Sequence, residues 1–531
     1  MSLTVLKKIC FILILFVLCS CRDRQKNFPN KDLSETDFIY LEGKSFMHKK
    51  DTFFPVMLNY VITFRTIDGQ IVISPLKEYE DYTVFETNTK EDVLSQLAGH
   101  FQLIKEMGFN SVRICFDRIS RNEHGNYFYR SQEEDECYYI DKDYNTIFEG
   151  LEQLFDIASQ RDIRIMLLIK SPFDNEELEI FTVRLLERFR DNPAIFAYDF
   201  MNEPLYFDPE PKRKKEDAIK MVSSWKKMMR KYAPNQLLTI GFSEPIEVFE
   251  WDPQMLPVDF VQFHTYHPLR VKNETYWYAN YINKPWMIGE TGLSADNDSI
   301  SYEKQRQFFK ELYQFVRDCG GSGFGWWEFQ DLVSTDHYES KYTGMLNHDG
   351  ETKTKDGKHT IQGTLKPAVE EIAHFSQYQP KSAKRPDNYY NMLGYNNIRI
   401  KGIILDEKTK KPIEGAVIRG WNQDWSIGMN TFTNERGEFT LYCNDPCSRF
   451  EISAPGMTKI KLDKKIKFNQ IAKGDFDINN LPNKEIEYQS IPYFAFHKDS
   501  ARSVFDLDTS KFNQAKFEGD LGILYLKKIK H

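Results

Sequence analysis

Residues 195–204 read IFAYDFMNEP. Strands of a parallel sheet are covered on both faces, so they appear in sequence as continuous apolar runs without regular alternation. Apart from Asp199, the first seven residues of this stretch have that form, and polar Asn202 and Glu203 follow at once. We therefore predict a buried parallel strand that presents Glu203 at its carboxyl end.

The same kind of run recurs on both sides of this stretch, between residues 53 and 375. The other predicted strands are Pro55–Tyr60, Ser111–Phe116, Ile163–Ile169, Leu237–Phe242, Phe260–Tyr266, Trp286–Glu290 and Gly323–Phe329. Longer amphipathic segments separate the runs, and the predicted helices are Glu91–Met107, Tyr144–Gln160, Lys215–Lys231 and Tyr302–Cys319. About eight strands that alternate with helices favour a closed (β/α)8 barrel, the TIM barrel, over an open sheet.

A second glutamate, Glu290, ends the seventh predicted strand in MIGETG, residues 287–292. Barrel enzymes place their sites at the rim formed by the carboxyl ends of the strands, so Glu203 and Glu290 should face each other across the mouth. A single glutamate is usually a solvated surface residue, but that explanation weakens when two apolar runs deliver both to one rim. Cleavage of a glycosidic bond needs a carboxylic acid and an opposing carboxylate. The pair therefore predicts a glycosidase.

These motifs resemble glycoside hydrolase clan A, and most closely family 5 of the cellulase and mannanase type, over a domain predicted at residues 46–376. Asn202-Glu203-Pro204 matches the family's Asn-Glu-Pro motif. The resemblance implies that Glu203 is the acid/base, that Glu290 is the nucleophile of a retaining mechanism and that Asn202 binds the sugar 2-hydroxyl. It also implies a β-glucan or β-mannan substrate and no cofactor.

Four more positions match the family's site. Arg113, in NSVRI at residues 110–114, would bond the nucleophile and keep it ionised. Period-two alternation sends His264 and Tyr266 to one side of the sixth strand, where Tyr266 would hold the nucleophile and His264 would lie near the acid/base. On the eighth strand we expect Trp327 to stack on the sugar and Trp326 to pack in the core.

Two features of these strands leave alternatives open. His264 and His267 could belong to a zinc site, but alternation separates them and no third ligand is in view, so we predict no metal. Many family members carry a histidine where the third strand ends, and here Lys170 follows that strand. Lys170 could contact a substrate hydroxyl or an acidic group, but pairing with Glu203 or Asp174 is the expected role.

The N-terminus has the form of a bacterial lipoprotein signal. Lys7 and Lys8 precede an apolar run at residues 9–18, which is too short to span a bilayer, so a transmembrane anchor is disfavoured. The following Leu18-Cys19-Ser20-Cys21 resembles a lipobox. We predict a signal peptide at residues 1–20, lipidation of Cys21, a tether at residues 21–45 and a lipid-anchored place in the bacterial cell envelope, on the periplasmic or surface face of the outer membrane.

After the barrel, residues 377–397 form a predicted linker rich in Pro, Lys and Asn. Strand-like runs with tight turns follow at residues 398–480 and resemble the carboxypeptidase-regulatory-like β-sandwich modules of exported enzymes. Residues 481–531 stay unassigned and could complete or flank the sandwich. Cys443 and Cys447 are close enough in sequence to bridge, and the sequence does not decide whether they do.

Composition excludes one class of partner. A net charge of -8 and a pI near 5.9 leave no basic face for phosphate contacts, so nucleic acid is not expected. The main hypothesis is a retaining hydrolase of β-glucan or β-mannan. A non-catalytic glycan-binding surface lipoprotein, with the sandwich as spacer, is the alternative from another class, and a transglycosylase or exo-acting glycosidase is a third possibility. The oligomeric state stays open.

Overall fold

The protein is described from a computed structural model. It describes residues 33–76, 79, 89–116, 119–130, 137–210, 213–266, 268, 270–298, 300–332, 341–386, 397–422, 428–443, 445–481 and 515–529. Cys21 and the other residues of the predicted lipoprotein signal lie outside these ranges, as does His267. No helix in the described ranges is long and apolar enough to cross a membrane.

A closed parallel barrel forms the first part of the chain, as the sequence predicts. Its eight strands, in order around the barrel, are Val56–Ile67, Ser111–Cys115, Arg164–Leu168, Ile195–Asn202, Leu237–Phe242, Val261–His264, Trp286–Glu290 and Gly323–Trp326. The eighth strand pairs with the first through Phe324 and Val56, which closes the sheet. We number these barrel strands one to eight. The predicted (β/α)8 fold class followed by all-β sheets is confirmed.

Helices cover the outside of the barrel. They span Lys90–Met107, Tyr144–Ser159, Glu176–Arg188, Pro204–Phe207, Lys215–Tyr232, Val271–Tyr281, Tyr302–Asp318 and Val369–Ile372, with 3-10 turns at Leu33–Glu35, Pro245–Phe249 and Phe375–Gln377. The first long helix begins at a capping box between Thr89 and Asp92 and ends at Gly108, whose φ of 103° suits glycine. The four helices predicted from apolar spacing therefore lie within one residue of their predicted ends.

Barrel strand one is longer than predicted. It continues to Ile67 and turns back into Gln70–Pro75, so a hairpin projects above the rim. A second small antiparallel sheet, Ile119–Arg121, Tyr127–Arg130 and Cys137–Tyr139, follows barrel strand two. A short hairpin of Glu351–Lys353 and Thr360–Gln362 lies between barrel strand eight and the last helix.

The bottom of the barrel is closed by a small sheet whose first part, residues 40–45, was predicted from sequence to belong to a tether. Tyr40–Glu42, Ser45–His48 and Asp51–Phe53 form a three-stranded antiparallel sheet, and Ile39 is fully buried. Phe46 lies edge-on to Phe260, with ring centroids 4.9 Å apart. The folded domain therefore begins before residue 46, because these apolar side chains cover the lower opening of the barrel.

The barrel interior has an apolar floor and a polar layer above it. The floor is a cluster of Ile39, Phe46, Met57, Met166, Phe196, Ala197, Phe260 and Met287. Two residues further along several strands stand the buried polar groups Asn59, Arg113, Asp199 and Gln262, which are hydrogen-bonded to one another. Period-two alternation produces this layering, since residues two apart on a strand share a face. The polar layer is the base on which the rim residues stand.

Two four-stranded sheets follow the linker region. One contains Ile398–Asp406, Glu438–Cys443, Phe468–Gln470 and Phe517–Leu526, and the other contains Val417–Trp421, Gly428–Phe432, Arg449–Ser453 and Ile460–Asp463. The strand at 517–526 pairs in parallel with the strand at 398–406. Part of the unassigned C-terminal segment therefore completes the first sheet. Cys443 and Cys447 are both buried free thiols.

These two sheets pack directly on the barrel. The Lys215 ammonium group is 3.0 Å from Asp252 and donates to Ser453 Oγ at 2.9 Å and to the Met457 carbonyl at 2.8 Å. Trp277 Nε1 donates to the Gly415 carbonyl at 2.9 Å. The barrel and the C-terminal sheets therefore share a buried polar interface.

Candidate active site

Glu203 lies at the end of barrel strand four, where the chain turns directly into the helix Pro204–Phe207. Its Oε1 lies 2.8 Å from His264 Nδ1 on barrel strand six. Glycine at position 241 leaves room for this imidazole, because a Cβ there would lie 2.7 Å from His264 Nε2. Burial raises the pKa of Glu203 above its usual value, and this outweighs the opposing hydrogen bond and charge of His264.

Glu290 ends barrel strand seven and has different partners. The hydroxyl of Tyr266 donates to its Oε2 at 2.5 Å, and the Arg113 guanidinium forms a short ion pair with its Oε1. Burial by itself would raise the pKa of Glu290. The charges of His264 and Arg113 and the hydrogen bonds from Tyr266 and Arg113 outweigh burial, so the pKa of Glu290 lies below its usual value.

The two carboxyl groups are close together. One carboxylate oxygen of Glu203, one of Glu290 and a ring nitrogen of His264 all lie within 4.8 Å of one another. Retaining glycosidases have carboxyl groups about 5–5.5 Å apart, whereas inverting ones keep them about 6.5–9.5 Å apart to admit a water. The short distance between the nearest carboxylate oxygens therefore fits the closer, retaining arrangement better than the inverting one.

Arg113 is fully buried and joins four strands. Its Nε and Nη2 donate to Asp199 Oδ2 at 3.0 and 2.8 Å, its Nη2 to Asn202 Oδ1 at 2.8 Å, and its Nη1 to Asn59 Oδ1 at 3.1 Å. A buried guanidinium needs such partners, since an unpaired charge there would be costly. Arg113 thus contacts both Glu290 and Asn202, and the role of Asn202 toward the sugar stays a prediction.

Asp199 is a site residue that the sequence reasoning missed. It is fully buried, receives the Arg113 fork and also accepts from Gln262 Nε2 at 2.5 Å. A carboxylate inside the apolar run of residues 195–201 is the signal that could have revealed it, because a buried charge must be paired. Its charge balances Arg113 and fixes the plane of the guanidinium group that contacts Glu290.

The two tryptophans of barrel strand eight separate as expected. Trp326 is fully buried, packs on Phe309 and donates from Nε1 to the Thr343 carbonyl at 2.9 Å. Trp327 follows the strand at the rim and is only half-buried. Of the pair, Trp327 keeps surface that a sugar ring could cover, while its role in stacking stays a prediction.

Lys170 lies at the rim after barrel strand three and is half-buried. Among the described residues it forms no ion pair, so the expected pairing with Glu203 or Asp174 is wrong.

The cluster of Glu203, His264 and Glu290 has the donor types and closeness of a metal site. Two of its donors already contact each other, since His264 Nδ1 lies 2.8 Å from Glu203 Oε1. The buried Arg113 guanidinium touches the third donor, Glu290, and its positive charge opposes a further cation. The arrangement suits proton transfer better than metal binding, while the prediction that the protein uses no metal stays untested.

Comparisons with known proteins give one family match and one curated relative. Residues 77–331 match the model of the cellulase family, glycosyl hydrolase family 5. A curated relative, mannan endo-1,4-beta-mannosidase 1 of Arabidopsis thaliana, is 27% identical over 172 residues, covering 25% of this chain and 41% of the relative. The chain thus spans less than half the length of that relative.

Solved structures that match this chain include the endo-1,4-beta-mannanase from Rhizomucor miehei, at 13% identity and a TM-score of 0.41, covering 63% of this chain and 99% of that one. A beta-glucuronidase of Bacteroides uniformis matches at 12% identity and a TM-score of 0.42, covering 81% of this chain and 48% of that one.

Proposed function

We propose that this chain, which contains a glycosyl hydrolase family 5 domain at residues 77–331, is a retaining hydrolase of β-linked glycans. The observation that carries the proposal is the pair of close carboxyl groups with opposite pKa shifts, Glu203 raised and Glu290 lowered. One glutamate is thus prepared to donate a proton while the other is prepared to attack, which is the division of roles that glycoside hydrolysis requires.

In the first step, Glu290 attacks the anomeric carbon and Glu203 gives its proton to the departing glycosidic oxygen. The C–O bond to the leaving sugar breaks as the bond from Glu290 to the anomeric carbon forms. Arg113 and Tyr266 hold Glu290 ionised and oriented before the attack. Asn202, fixed by Arg113, is placed to bind the 2-hydroxyl of the sugar.

In the second step, water attacks the anomeric carbon and releases Glu290. Glu203, now ionised, takes a proton from that water. His264, hydrogen-bonded to Glu203 at 2.8 Å, stabilises the ionised form that Glu203 adopts between the two steps. Two displacements on the same carbon give net retention of configuration.

The proposed substrate is a β-1,4-linked mannan, with β-glucan as the second choice. The name of the Arabidopsis relative, a mannan endo-1,4-beta-mannosidase, supports mannan. We also propose that Cys21 is lipidated and that the enzyme is held at the bacterial cell envelope, a location supported only by the N-terminal sequence. Endo action is the expected mode, in line with the name of that relative.

A panel of β-mannan, β-glucan and xylan, read by product chromatography over time, tests the activity. We expect soluble oligosaccharides from one of the first two glycans. The Glu290→Ala variant should lose turnover, and added azide should restore part of it as a glycosyl azide of inverted configuration, since azide can take the place of the missing nucleophile. Binding of glycan without any product from the wild type would favour the non-catalytic alternative.

A further inference from the structure

The backbone at Glu203 adopts an uncommon conformation. Its φ of 39° and ψ of 77° lie in the left-handed region, which residues with a side chain seldom occupy. Such a conformation persists only where the surrounding structure holds it. The groups that fix this turn therefore decide where the Glu203 carboxyl group points.

Only two backbone N–H groups are available in the segment Glu203-Pro204-Leu205, because proline has none. The N–H of Glu203 donates to the Gly241 carbonyl at 2.7 Å, at the end of barrel strand five. The N–H of Leu205 donates to the side-chain Oε1 of Glu247 at 2.8 Å. One of the two N–H groups is thus anchored to barrel strand five and the other to the 3-10 turn that follows it.

Glu247 is buried and bridges two loops. It lies on the 3-10 turn Pro245–Phe249 and is 1% exposed. Its second oxygen, Oε2, accepts from the N–H of Ser243 at 2.6 Å, so one carboxyl group ties the loop after barrel strand four to the loop after barrel strand five. Burial raises the pKa of Glu247 despite these two hydrogen bonds. A carboxyl group buried this deeply, with a hydrogen bond from each of two loops, fixes the position of the two loops relative to each other.

We propose that Glu247 is a positioning residue for acid/base catalysis, which holds the Glu203 turn so that its carboxyl group meets the glycosidic oxygen. The proposal rests on the function proposed above. In this role Glu247 acts through the hydrogen bonds that its carboxyl group accepts from the backbone of Leu205 and Ser243. Small displacements of a proton donor are costly, since a shift of about 1 Å can lower a rate by about a hundredfold.

The Glu247→Gln variant tests this role. The amide keeps one acceptor oxygen but sets an NH2 group against the other backbone N–H, so either Leu205 or Ser243 loses its partner. Once the panel has identified the sugar, kcat/KM is measured for two of its β-glycosides, one with a poor leaving group and one with a dinitrophenyl leaving group. Protonation by Glu203 matters for the first substrate and hardly at all for the second.

We expect Glu247→Gln to lower kcat/KM by at least about tenfold with the poor leaving group and by less than about threefold with the dinitrophenyl group. The basic limb of the pH profile should also become shallower for the poor leaving group only. The matched control is Glu250→Gln, because Glu250 lies three residues along, pairs with Lys459 and touches neither loop N–H. The control should keep the wild-type ratio between the two substrates.

Equal losses on both substrates, or no loss on either, would overturn the positioning role. If Glu247→Gln does not fold, Glu247→Asp provides the same comparison, because it keeps two carboxylate oxygens on a side chain one carbon shorter. An inactive wild type on every glycan would instead contradict the proposed function, so the two failures are distinguishable.

Discussion

At the scale of single residues, two glutamates on one rim differ because of their neighbours. Both are buried, and burial alone would raise the pKa of each. His264, Arg113 and Tyr266 reverse that effect at Glu290, whereas the partners of Glu203 do not reverse it there. Identical side chains thereby have opposite pKa shifts, which suit the proposed roles of nucleophile and acid.

The Tyr266→Phe variant tests this account of Glu290. Loss of the hydroxyl removes a hydrogen bond to the ionised carboxylate, so the pKa of Glu290 should rise. Because the ionised form attacks, the acid limb of the kcat/KM profile should move to higher pH, and the rate should fall by roughly 10- to 100-fold. Tyr198→Phe, at a buried tyrosine on barrel strand four, is the control and should leave the acid limb in place. An unmoved acid limb in Tyr266→Phe would contradict the role of this hydroxyl.

At the scale of elements, glycines set how closely barrel strands seven and eight approach. A Cβ added at Gly325 would lie 2.3 Å from the carbonyl oxygen of Gly289, a backbone atom that cannot rotate away. The carbonyl of Gly289 also accepts from Asn59 Nδ2 at 2.9 Å. The backbone of barrel strand seven next to Glu290 is thereby bonded to the polar layer. A larger residue at 325 would displace the strand that carries the nucleophile.

We predict that Gly325→Ala lowers the melting temperature and the activity together, with a free-energy cost of roughly 1–3 kcal/mol from overpacking. Gly150→Ala is the control, because its Cβ would meet Ile73 at 3.4 Å, an ordinary contact, inside a helix where alanine is favoured. Thermal unfolding and kcat/KM of both variants check the prediction. A Gly325→Ala enzyme as stable as Gly150→Ala would show that the strands can separate at little cost.

The elements that sequence could predict are those with strong periodicity. All eight barrel strands were found because buried parallel strands are long apolar runs, and the helix at 90–107 because apolar residues recur along it beside capping signals. The sheet under the barrel was missed because its strands at 40–53 are three or four residues long and mixed in polarity. The strand at 517–526 gains its place from long-range pairing with residues 398–406, which local pattern does not reveal.

The same limit applies to the site. Glu203, Glu290, His264 and Tyr266 follow from motifs at strand ends, and the structure brings them together. Glu247 escaped notice because it lies in a short turn, where a glutamate ordinarily faces solvent, and only the fold shows that it is buried beneath residue 205.

At the scale of the whole molecule, the C-terminal sheets pack on the barrel through buried contacts. Lys215 is 5% exposed, and its ammonium group contacts Asp252 of the barrel and two groups of the C-terminal sheets. Asp252 also accepts from the Gly456 N–H at 2.8 Å. A domain that served only as a spacer on a linker would not be expected to form a buried interface with the barrel.

We predict that Lys215→Met destabilises the protein by about 3–5 kcal/mol, because it leaves Asp252 buried without its cation. Calorimetry should show a lower melting temperature. Lys220→Met on the same helix is the control, since the Lys220 side chain is 80% exposed and its loss should cost little. Equal melting behaviour of the two variants would mean that the interface contributes nothing to stability.

The central claim is that Glu290 forms a covalent bond to the sugar. The most direct test incubates the enzyme with a dinitrophenyl 2-deoxy-2-fluoro-β-glycoside of the sugar identified in the panel, and then maps the modified peptide by mass spectrometry. We predict loss of activity with time and one added sugar on the peptide that contains Glu290. A label on Glu203 or on any other residue would contradict the account.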